Sequence, residues 1–415
     1  MKVRFYPSHL KGAVTAPPSK SVAHRLLLSA GLAAGESAIE NVALSEDVSA
    51  TLSCLRAFGV ETETEGSTLH IISRGLPTQT VRSALPCGAC GSTLRFFLPL
   101  CMLTPGKTRL TGTPRLLRRP LSVYADICEA QGIPFFNDGK AVSVGEGLKS
   151  GEFRIPGNIS SQFVSGLLFA LPLTEGDSVI SLTDGVESRP YIDLTLDALR
   201  LFGVEARWGD ETTLLVPGGQ RYAPANAAVE GDWSNAAFWF AMQTLGGEID
   251  VKGLSEQSRQ GDRICVSLLQ KLQRENAVAD IADCPDLGPV LMAFAAATGK
   301  GATFTGTRRL KLKESDRGNV MAAELEKFGI GTHLRDYAIA VLPGRLKAPD
   351  TPVCANDDHR IAMALSVLLL QTGGTLTGAQ AVNKSYPDFF EKLASLGADI
   401  RIEEESPGAG SGARQ

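Results

Sequence analysis

One pattern recurs six times along the 415-residue chain and constrains the fold more than any other feature. In each copy, a polar residue that can cap a helix precedes an apolar stretch, which ends near a glycine and a short alternating strand. A second, amphipathic helix follows. The repeat glycines are Gly35, Gly106, Gly176, Gly247, Gly301 and Gly374, at spacings of 71, 70, 71, 54 and 73 residues. The capped helix starts are predicted near Ser19, Ser92, Ser160, Ser234, Asp286 and Asp358.

The first helix of each repeat is apolar on nearly every side, and its few charges fall in the first turns. Lys20 and Arg25 lie at the start of the first such helix, and Arg360 lies at the start of the sixth. A helix that is apolar all round is buried, so six of them predict two bundles of three. Their polar N-termini would then gather toward one region that favours anions. The alternative is six ordinary core helices with solvated caps, but no cap needs these cations.

Composition and charge narrow the class of protein. The formal net charge of −4 argues against a nucleic-acid binder that relies on overall charge, so any anion site must be local. The first residues, Met1 to Pro7, carry no apolar signal segment. No apolar run approaches the roughly 20 residues that span a bilayer. We therefore expect a cytoplasmic protein with reduced cysteines and with no membrane or nucleic-acid partner.

Two motifs in the first half place backbone N–H groups and cations at helix starts. In the segment 17–25, Ser19 or Ser21 can cap a helix, while Lys20 adds a charge that opposes the helix dipole unless an anion binds there. In the segment 87–95, two glycines allow the backbone to approach a phosphate or carboxylate. The cysteines at 87 and 90 also form a C-x-x-C motif, which is found in zinc sites and in redox sites. Zinc needs two further ligands that the sequence does not place nearby, so no metal is predicted.

The other candidate residues are cations and hydroxyls at helix starts. Lys313 next to Glu314 suits proton transfer if water is excluded, and a solvated charged turn is the alternative. The segment Asn158–Gln162 offers more hydrogen-bonding side chains than one cap requires. Seven cations are too many for a single phosphate and fit two substrates with several negative charges each. These cations are Lys20, Arg25, Arg119, Lys313, Arg317, Arg360 and Lys384.

Eight ordered motifs together resemble the 5-enolpyruvylshikimate-3-phosphate synthase family, over nearly the whole chain from Lys11 to about Ile400. They are Ser19-Lys20-Ser21 with Arg25, Gly91-Ser92-Thr93 with Arg95, Arg119-Pro120, Ser160 to Phe163, Pro190 to Asp193, Lys313 to Arg317, Asp358-His359-Arg360, and Lys384 to Asp388. The resemblance implies an α/β fold of two similar domains, each made of three βαβαββ repeats around buried helices. It implies a first lobe at 17–229, mainly on the shikimate 3-phosphate side, and a second lobe at 1–16 with 230–403. The stretch 404–415 is expected to be a disordered tail.

The resemblance also implies the reaction and the residue roles. The enolpyruvyl group of phosphoenolpyruvate would pass to the 5-hydroxyl of shikimate 3-phosphate, with release of phosphate, in a monomer without cofactor or metal. Proton transfer is implied for Lys20, Asp286 and Glu314. Shikimate 3-phosphate binding is implied for Lys20, Ser21, Arg25, Ser160, Ser161, Gln162, Ser188, Tyr191, Asp286 and Lys313. Phosphoenolpyruvate binding is implied for Lys20, Gly91, Arg119, Gln162, Arg317, Arg360 and Lys384.

The sequence departs from the family pattern at four positions near the implied site. Ala89 stands where the family often has Asn or Glu, and Cys90 where Ala or Ser is usual. His24 and Arg309 both stand at positions that are often Asn. None of these changes removes an implied cation or proton-transfer residue.

Three other functions remain as alternatives to this resemblance. A transferase acting on UDP-N-acetylglucosamine shares the fold, but typically has Lys-Asn where this chain has Lys20-Ser21, and it needs a reactive cysteine in a mobile loop. A non-catalytic protein that binds phosphorylated ligands would not need an intact Lys20, Asp286 and Glu314. A relative that processes RNA ends would favour a more basic surface than a net charge of −4 suggests.

Overall fold

The chain packs around two separate hydrophobic cores in the computed structural model, which describes residues 1–403. The first core draws its buried residues from Ala23 to Val229. The second draws them from Val3 to Val14 and from Trp233 to Ala398. We call the elements around these cores the first and second lobes. The division into units at 17–229 and at 1–16 with 230–403 stays a prediction, and the tail predicted at 404–415 lies outside the described residues.

The first lobe follows two strands of the second lobe, β1 (Lys2–Phe5) and β2 (Lys11–Thr15). A 3-10 helix, Leu171–Leu173, extends α6. In chain order the first-lobe elements are α1 (Lys20–Leu32), β3 (Ala34–Glu40), α2 (Glu46–Ala57), β4 (Glu61–Glu65), β5 (Thr68–Arg74), β6 (Leu85–Pro86), α3 (Gly91–Cys101), β7 (Lys107–Thr111), α4 (Pro114–Leu117), α5 (Ser122–Gln131), β8 (Phe135–Asn137), β9 (Ala141–Gly145), β10 (Glu152–Pro156), α6 (Ser161–Ala170), β11 (Ser178–Thr183), α7 (Arg189–Leu201), β12 (Arg207–Trp208), β13 (Thr213–Val216) and β14 (Ala227–Ala228).

The second lobe comprises the remaining elements and includes four 3-10 helices, Gly261–Ile264, Pro285–Leu287, Arg308–Leu312 and Ala379–Lys384. Its other elements are α8 (Trp233–Thr244), β15 (Glu248–Lys252), α9 (Cys265–Arg274), β16 (Ala277–Asp280), α10 (Gly288–Ala297), β17 (Ala302–Thr305), α11 (Arg317–Lys327), β18 (Thr332–Leu334), β19 (Ala338–Val341), β20 (Val353–Cys354), α12 (His359–Thr372), β21 (Gly374–Thr377), α13 (Phe389–Ser395) and β22 (Ile400–Glu403).

Within residues 1–403, five four-stranded sheets repeat one topology. Their strand orders are β14-β3-β5-β4, β6-β7-β9-β8 and β10-β11-β13-β12 in the first lobe, and β16-β17-β19-β18 and β20-β21-β1-β22 in the second. In each sheet the first pair is parallel and the other two pairs are antiparallel. A sixth, two-stranded sheet pairs β15 with β2. The recurring topology is the structural form of the sequence repeat, and the predicted α/β fold class is confirmed.

The six apolar helices predicted to be buried are α1, α3 and α6 in the first lobe and α8, α10 and α12 in the second. In α10, for example, every residue from Gly288 to Ala296 is buried. The six strands predicted after the repeat glycines are β3, β7, β11, β15, β17 and β21. Each lies within a few residues of its predicted position, because apolar periodicity and turn glycines are local signals.

At two of the predicted helix starts, the capping residue lies two positions before the serine named in the prediction. Helix α3 is capped by Cys90, whose Sγ accepts from the backbone N of Thr93 at 3.5 Å, and Ser92 lies inside the helix. Helix α8 is capped by Asp232, whose carboxylate accepts from the backbone N of Asn235 at 2.8 Å. A carboxylate caps a helix as well as a hydroxyl does. Because Asp232 caps α8, the side chain of the predicted Ser234 is available for other contacts.

The prediction that Asp286 caps the fifth buried helix is also wrong. Helix α10 begins at Gly288, and Asp286 lies in the preceding 3-10 helix. Its carboxylate pairs with three cations instead of backbone N–H groups. Charged donors are stronger partners for a carboxylate than backbone amides are, and the tertiary fold brings them within reach.

The two chain crossings between the lobes lie side by side. The backbone N of Ser19 donates to the carbonyl of Glu230 at 2.7 Å, and that of Asp232 donates to the carbonyl of Pro17 at 2.8 Å. Helices α1 and α8 therefore both begin at the boundary between the lobes. Among residues 1–403, none of the helices combines the length and the apolar character that a membrane crossing requires.

Candidate active site

A cleft between the lobes is lined by the starts of buried helices and by the 3-10 helix Arg308–Leu312. It encloses about 940 Å³ of space not filled by atoms, part of it open to solvent. Its walls carry eight cationic side chains, Lys20, Arg25, Arg95, Arg119, Arg309, Lys313, Arg317 and Arg360, and three acidic ones, Asp47, Asp286 and Glu314. A cleft with this excess of positive charge attracts anionic ligands.

Nearly all of the site residues predicted from the sequence meet in this cleft. Those that line it are Lys20, Ser21, Arg25, Gly91, Arg119, Ser160, Ser161, Gln162, Ser188, Tyr191, Asp286, Lys313, Glu314, Arg317 and Arg360. The exception is Lys384, which ends the 3-10 helix Ala379–Lys384 and donates to the carbonyl of Asp357. The fold therefore brings fifteen of the sixteen predicted residues together, and their individual roles stay predictions.

Lys20, the first residue of α1, pairs with an acid that the sequence did not single out. Its Nζ lies 2.7 Å from Oδ2 of Asp47, which sits in the first turn of α2. Burial alone would lower the pKa of Lys20, but the charges of Asp47 and Glu314 outweigh it and raise the pKa above its ordinary value. Lys20 is therefore firmly protonated. An acid in the first turn of an amphipathic helix is common, so only the tertiary contact distinguishes Asp47.

The same corner brings together three side chains that can ligate metals. One ligand atom each from His24, Asp47 and Cys90 lies within 4.8 Å of the other two, and His24 is 3.7 Å from the Cys90 thiol. Burial raises the pKa of Cys90 to about 12 and lowers that of His24 to about 3, and Lys20 already pairs with Asp47. Cys87, the other cysteine of the C-x-x-C, faces a thiol of α2 at 4.0 Å instead. The metal-free site stays a prediction.

Gly91 at the start of α3 allows a close approach by Arg119. A Cβ atom on Gly91 would lie only 2.7 Å from Nη1 of Arg119. The other terminal nitrogen of Arg119 is 3.9 Å from Glu314 of the second lobe, and its Nε is buried without a partner. Arg119 therefore holds a donor that a ligand can satisfy.

Hydrogen-bonding side chains line the first-lobe wall at the start of α6. Ser160 caps the helix, with Oγ 3.3 Å from the backbone N of Gln162. The amide of Gln162 is held between two groups of α3, because Oε1 accepts from Arg95 at 2.6 Å and Nε2 donates to Ser92 at 2.9 Å. Ser161 completes this wall. The surplus of polar groups noted in the sequence is thus used partly to fix the orientation of one amide.

Arg25 and Tyr191 are held mainly by protein contacts. Arg25 is 3% exposed and donates to Thr195 at 2.8 Å and to the carbonyls of Ser21 and Tyr191 at 2.7 and 2.8 Å. The Tyr191 hydroxyl donates across the lobes to Asp262 at 2.6 Å. Asp262 is another functional candidate that the sequence did not indicate, because nothing local marks it.

Arg317 at the start of α11 is the centre of the second-lobe wall. Its side chain is 1% exposed and bonds Asp286 and Glu314 at 2.7 Å each and Asp358 at 2.9 Å. Although burial alone would raise the pKa of Glu314, the charges of Arg317 and Arg119 hold it well below its ordinary range. Glu314 is therefore ionised at neutral pH.

Asp286 is the second ionised carboxylate of this wall. Besides Arg317, it pairs with Lys313 at 3.0 Å and with Arg360 at 3.3 Å. Burial alone would raise the pKa of Asp286, but these cations hold it well below its ordinary range. Burial lowers the pKa of Lys313 despite the charge of Asp286. The wall thus places ionised acids beside an amine whose pKa lies below its ordinary value, an arrangement that suits proton transfer.

Comparison with known proteins agrees with this geometry. A family model described as EPSP synthase (3-phosphoshikimate 1-carboxyvinyltransferase) matches residues 6–393. Proteins named 3-phosphoshikimate 1-carboxyvinyltransferase are similar along the whole length. The one from Clostridium kluyveri is 39% identical over 96% of this chain and 98% of its own. The one from Clostridium perfringens strain SM101 is 38% identical over 97% and 100%.

Solved structures show the same fold. An EPSP synthase from Acinetobacter baumannii superposes with a TM-score of 0.80 at 24% identity, covering 97% of this chain and 100% of that one. The enolpyruvyl transferase NikO from Streptomyces tendae gives 0.75 at 18% identity, covering 96% and 98%. Given the nearly full-length family match and the curated relatives above 30% identity, the chain belongs to the EPSP synthase (3-phosphoshikimate 1-carboxyvinyltransferase) family.

Proposed function

We propose that this chain transfers the enolpyruvyl group of phosphoenolpyruvate to the 5-hydroxyl of shikimate 3-phosphate and releases phosphate. The observation that carries the proposal is the interlobe cleft, where eight cations and three acids from both lobes face one another. Each substrate carries a phosphate and a carboxylate, so the pair brings enough negative charge to offset that excess. Family membership supplies the reaction type.

The two walls suit the two substrates. The hydroxyl and amide groups at the start of α6, with Ser188 and Tyr191, suit the polyhydroxylated shikimate 3-phosphate. Arg119, Arg317 and Arg360 suit the compact, highly charged phosphoenolpyruvate, since guanidinium groups pair well with phosphate and carboxylate. Gly91 leaves room for such an anion at the start of α3.

We assign the proton donor and the proton acceptors from the protonation states of the site residues before the substrates bind. Lys20 is protonated and can give a proton to the methylene carbon of phosphoenolpyruvate. The 5-hydroxyl then attacks the neighbouring carbon and loses its proton to an ionised carboxylate, a role that we assign to Asp286, which pairs with Lys313 at 3.0 Å. The tetrahedral adduct expels phosphate as the methylene double bond reforms, and Glu314 accepts the proton removed in that step. Fixed charges in the cleft stabilise the cationic carbon that forms on the way.

A single chain supplies every group that this chemistry needs, so we propose that the enzyme acts as a monomer. We also propose that it acts in the cytoplasm and without a nucleic-acid partner. Sedimentation analysis at the working concentration tests the first point. Activity that appears only in a dimer fraction would contradict it.

The decisive experiment measures phosphate release from phosphoenolpyruvate with either of two co-substrates. Shikimate 3-phosphate should support turnover, and UDP-N-acetylglucosamine should not. The product should carry the enolpyruvyl group on the 5-oxygen, which NMR of the purified product would establish. Turnover with the sugar nucleotide alone, or with neither co-substrate, would refute the proposed function.

A further inference from the structure

Three side chains of the types that ligate transition metals meet where α1, α2 and the start of α3 come together in the first lobe. They are His24, Asp47 and Cys90, and we call them the His24 cluster. One ligand atom from each lies within 4.8 Å of the other two, and all three residues are buried. Asp47 also lines the cleft, so a small cation has a path to the cluster. The proposed reaction uses none of the three side chains.

The spacing of His24 and Cys90 matches that of two ligands on one zinc ion. Nε2 of His24 lies 3.7 Å from Sγ of Cys90. Tetrahedral zinc, with Zn–N bonds of about 2.0–2.1 Å and Zn–S bonds of about 2.3 Å, places such a pair about 3.5 Å apart. The carboxylate oxygen of Asp47, within 4.8 Å of both atoms, needs to move by at most about 1 Å to become the third ligand.

The surroundings of His24 and Cys90 also suit a metal. Nδ1 of His24 lies 2.7 Å from the Thr51 hydroxyl, which lies 2.7 Å from that of Thr93. With the ring proton on Nδ1, His24 donates to Thr51 and presents the Nε2 lone pair to Cys90, as ligating histidines do. Sγ of Cys90 caps α3 and accepts from the backbone N of Thr93 at 3.5 Å. The positive end of the helix dipole there favours the thiolate that a metal needs.

Lys20 already serves as the cation of this cluster. Its Nζ lies 2.7 Å from Oδ2 of Asp47, and its charge would repel a divalent cation only a few ångströms away. Burial, with the charge of Asp47, raises the pKa of Cys90 to about 12, so the thiol keeps its proton while Lys20 neutralises the carboxylate. A metal ion that binds here must therefore displace both the thiol proton and the ammonium group of Lys20.

We propose that the His24 cluster is an inhibitory site for a borderline-soft divalent cation of the zinc type, which binds in exchange for the ammonium group of Lys20. Imidazole and thiolate ligands select such cations. The metal forms bonds to Nε2 of His24, to Sγ of Cys90 and to one carboxylate oxygen, while the thiol proton passes to water. Lys20 then loses the partner that fixes it at the cleft. Inhibition by an added metal agrees with catalysis without one. The metal site itself does not depend on the proposed function, whereas its effect on turnover does.

Titration of the 415-residue chain with zinc by calorimetry, and with cadmium by absorption spectroscopy, tests the site. The wild type should bind one equivalent, and cadmium should give the charge-transfer absorption of a metal–thiolate bond. Cys90→Ser, which keeps a side chain that can cap α3, should abolish that absorption. Cys90→Ser and His24→Asn should each weaken zinc binding at least tenfold. Lys20→Met should strengthen zinc binding at least tenfold, because the competing charge is gone. The matched control is Cys128→Ser, at a buried cysteine of α5, which should bind zinc as the wild type does.

Phosphate release at increasing zinc concentrations tests the inhibition. Zinc should stop turnover of the wild type, and a chelator should restore it. Magnesium, which prefers oxygen ligands, should have no effect at the same concentrations. Without zinc, Cys90→Ser and His24→Asn should turn over within about twofold of the wild type, because neither side chain takes part in the proposed reaction. Both variants should need at least tenfold more zinc for the same inhibition. Chelation of zinc by the substrates acts on every variant equally.

Several results would overturn the inhibitory site. Undiminished zinc binding in Cys90→Ser and His24→Asn would place the metal elsewhere, and unchanged affinity in Lys20→Met would exclude the exchange. Full turnover by the zinc-loaded wild type would exclude inhibition. If one ligand variant folds poorly, the other still decides the question. Normal zinc binding by a chain that shows no turnover without metal would refute the proposed function and leave the metal site standing.

Discussion

Replacing Gly91 with alanine tests how closely α3 approaches Arg119. The new Cβ would lie 2.7 Å from Nη1 of Arg119 and 3.5 Å from Oε1 of Gln162. Atoms of this kind come into contact at about 3.5 Å, so the guanidinium would have to retreat by about 0.8 Å. The end of a flexible side chain can make that shift at little cost, and alanine favours helix more than glycine does. The thermal midpoint should therefore change little.

Gly91→Ala should instead weaken the binding of the ligand that Arg119 contacts. A shift of this size breaks a charge-assisted hydrogen bond worth about 1.5–3 kcal/mol, which corresponds to roughly 10- to 150-fold in affinity. We expect KM for phosphoenolpyruvate to rise by that factor in Gly91→Ala, with KM for shikimate 3-phosphate changing by less than about threefold. Initial rates, with each substrate varied at saturating levels of the other, measure both constants.

A double-mutant cycle with Arg119→Ala isolates the contact. In the Arg119→Ala background, Gly91→Ala should add little, because the clashing group is gone. An unchanged KM for phosphoenolpyruvate in the single variant would refute the reasoning. A full additional loss in the double variant would show that the alanine acts through something other than Arg119.

Three further predictions test the charges of the site. Glu314→Gln should lower turnover at least a hundredfold with little change in shikimate 3-phosphate affinity, whereas a Glu326→Gln change at an exposed acid on α11 should be neutral. Burial, with the charge of Asp286, raises the pKa of Asp262 to about 6. As pH rises from about 4 to about 6, the unfolded chain therefore loses this proton before the folded chain does. Over that range the free energy of unfolding falls because of Asp262. Asp262→Asn should remove that slope, worth up to ~3 kcal/mol, from urea unfolding curves compared with wild type, and parallel curves would contradict the assignment. Chelators should leave activity intact, and a loss that zinc restores would assign a metal to the corner at His24 and Cys90.

Much of the fold was predictable because its signals are local. Apolar periodicity indicates which residues face a core, and the repeat glycines mark where each apolar helix ends. Both signals occur in every copy of the repeat. These two local signals alone predict the six buried helices and the six strands. The capping residue differed where several polar residues could cap the same helix, as with Asp232 and Ser234, because propensity does not choose between them.

Much of the site was also visible in the sequence, because cations at helix starts contradict the dipole and call for an anion. Lys20 and Arg360 are such cases, and the fold gathers them into one cleft. The motifs also indicated Asp286 correctly as a site residue, although it pairs with cations instead of capping a helix.

Only the tertiary structure decided which groups pair. Asp47 beside Lys20, Asp262 beneath Tyr191, and Glu187 against Arg309 each join residues from different elements. Periodicity and motif spacing describe the neighbours of a residue along its own helix or strand and carry no information about contacts between elements that are distant in the sequence. Since charge pairing and burial set the protonation states, the sequence determined which ionisable groups the site contains, and the packing of the two lobes determined which of them hold protons.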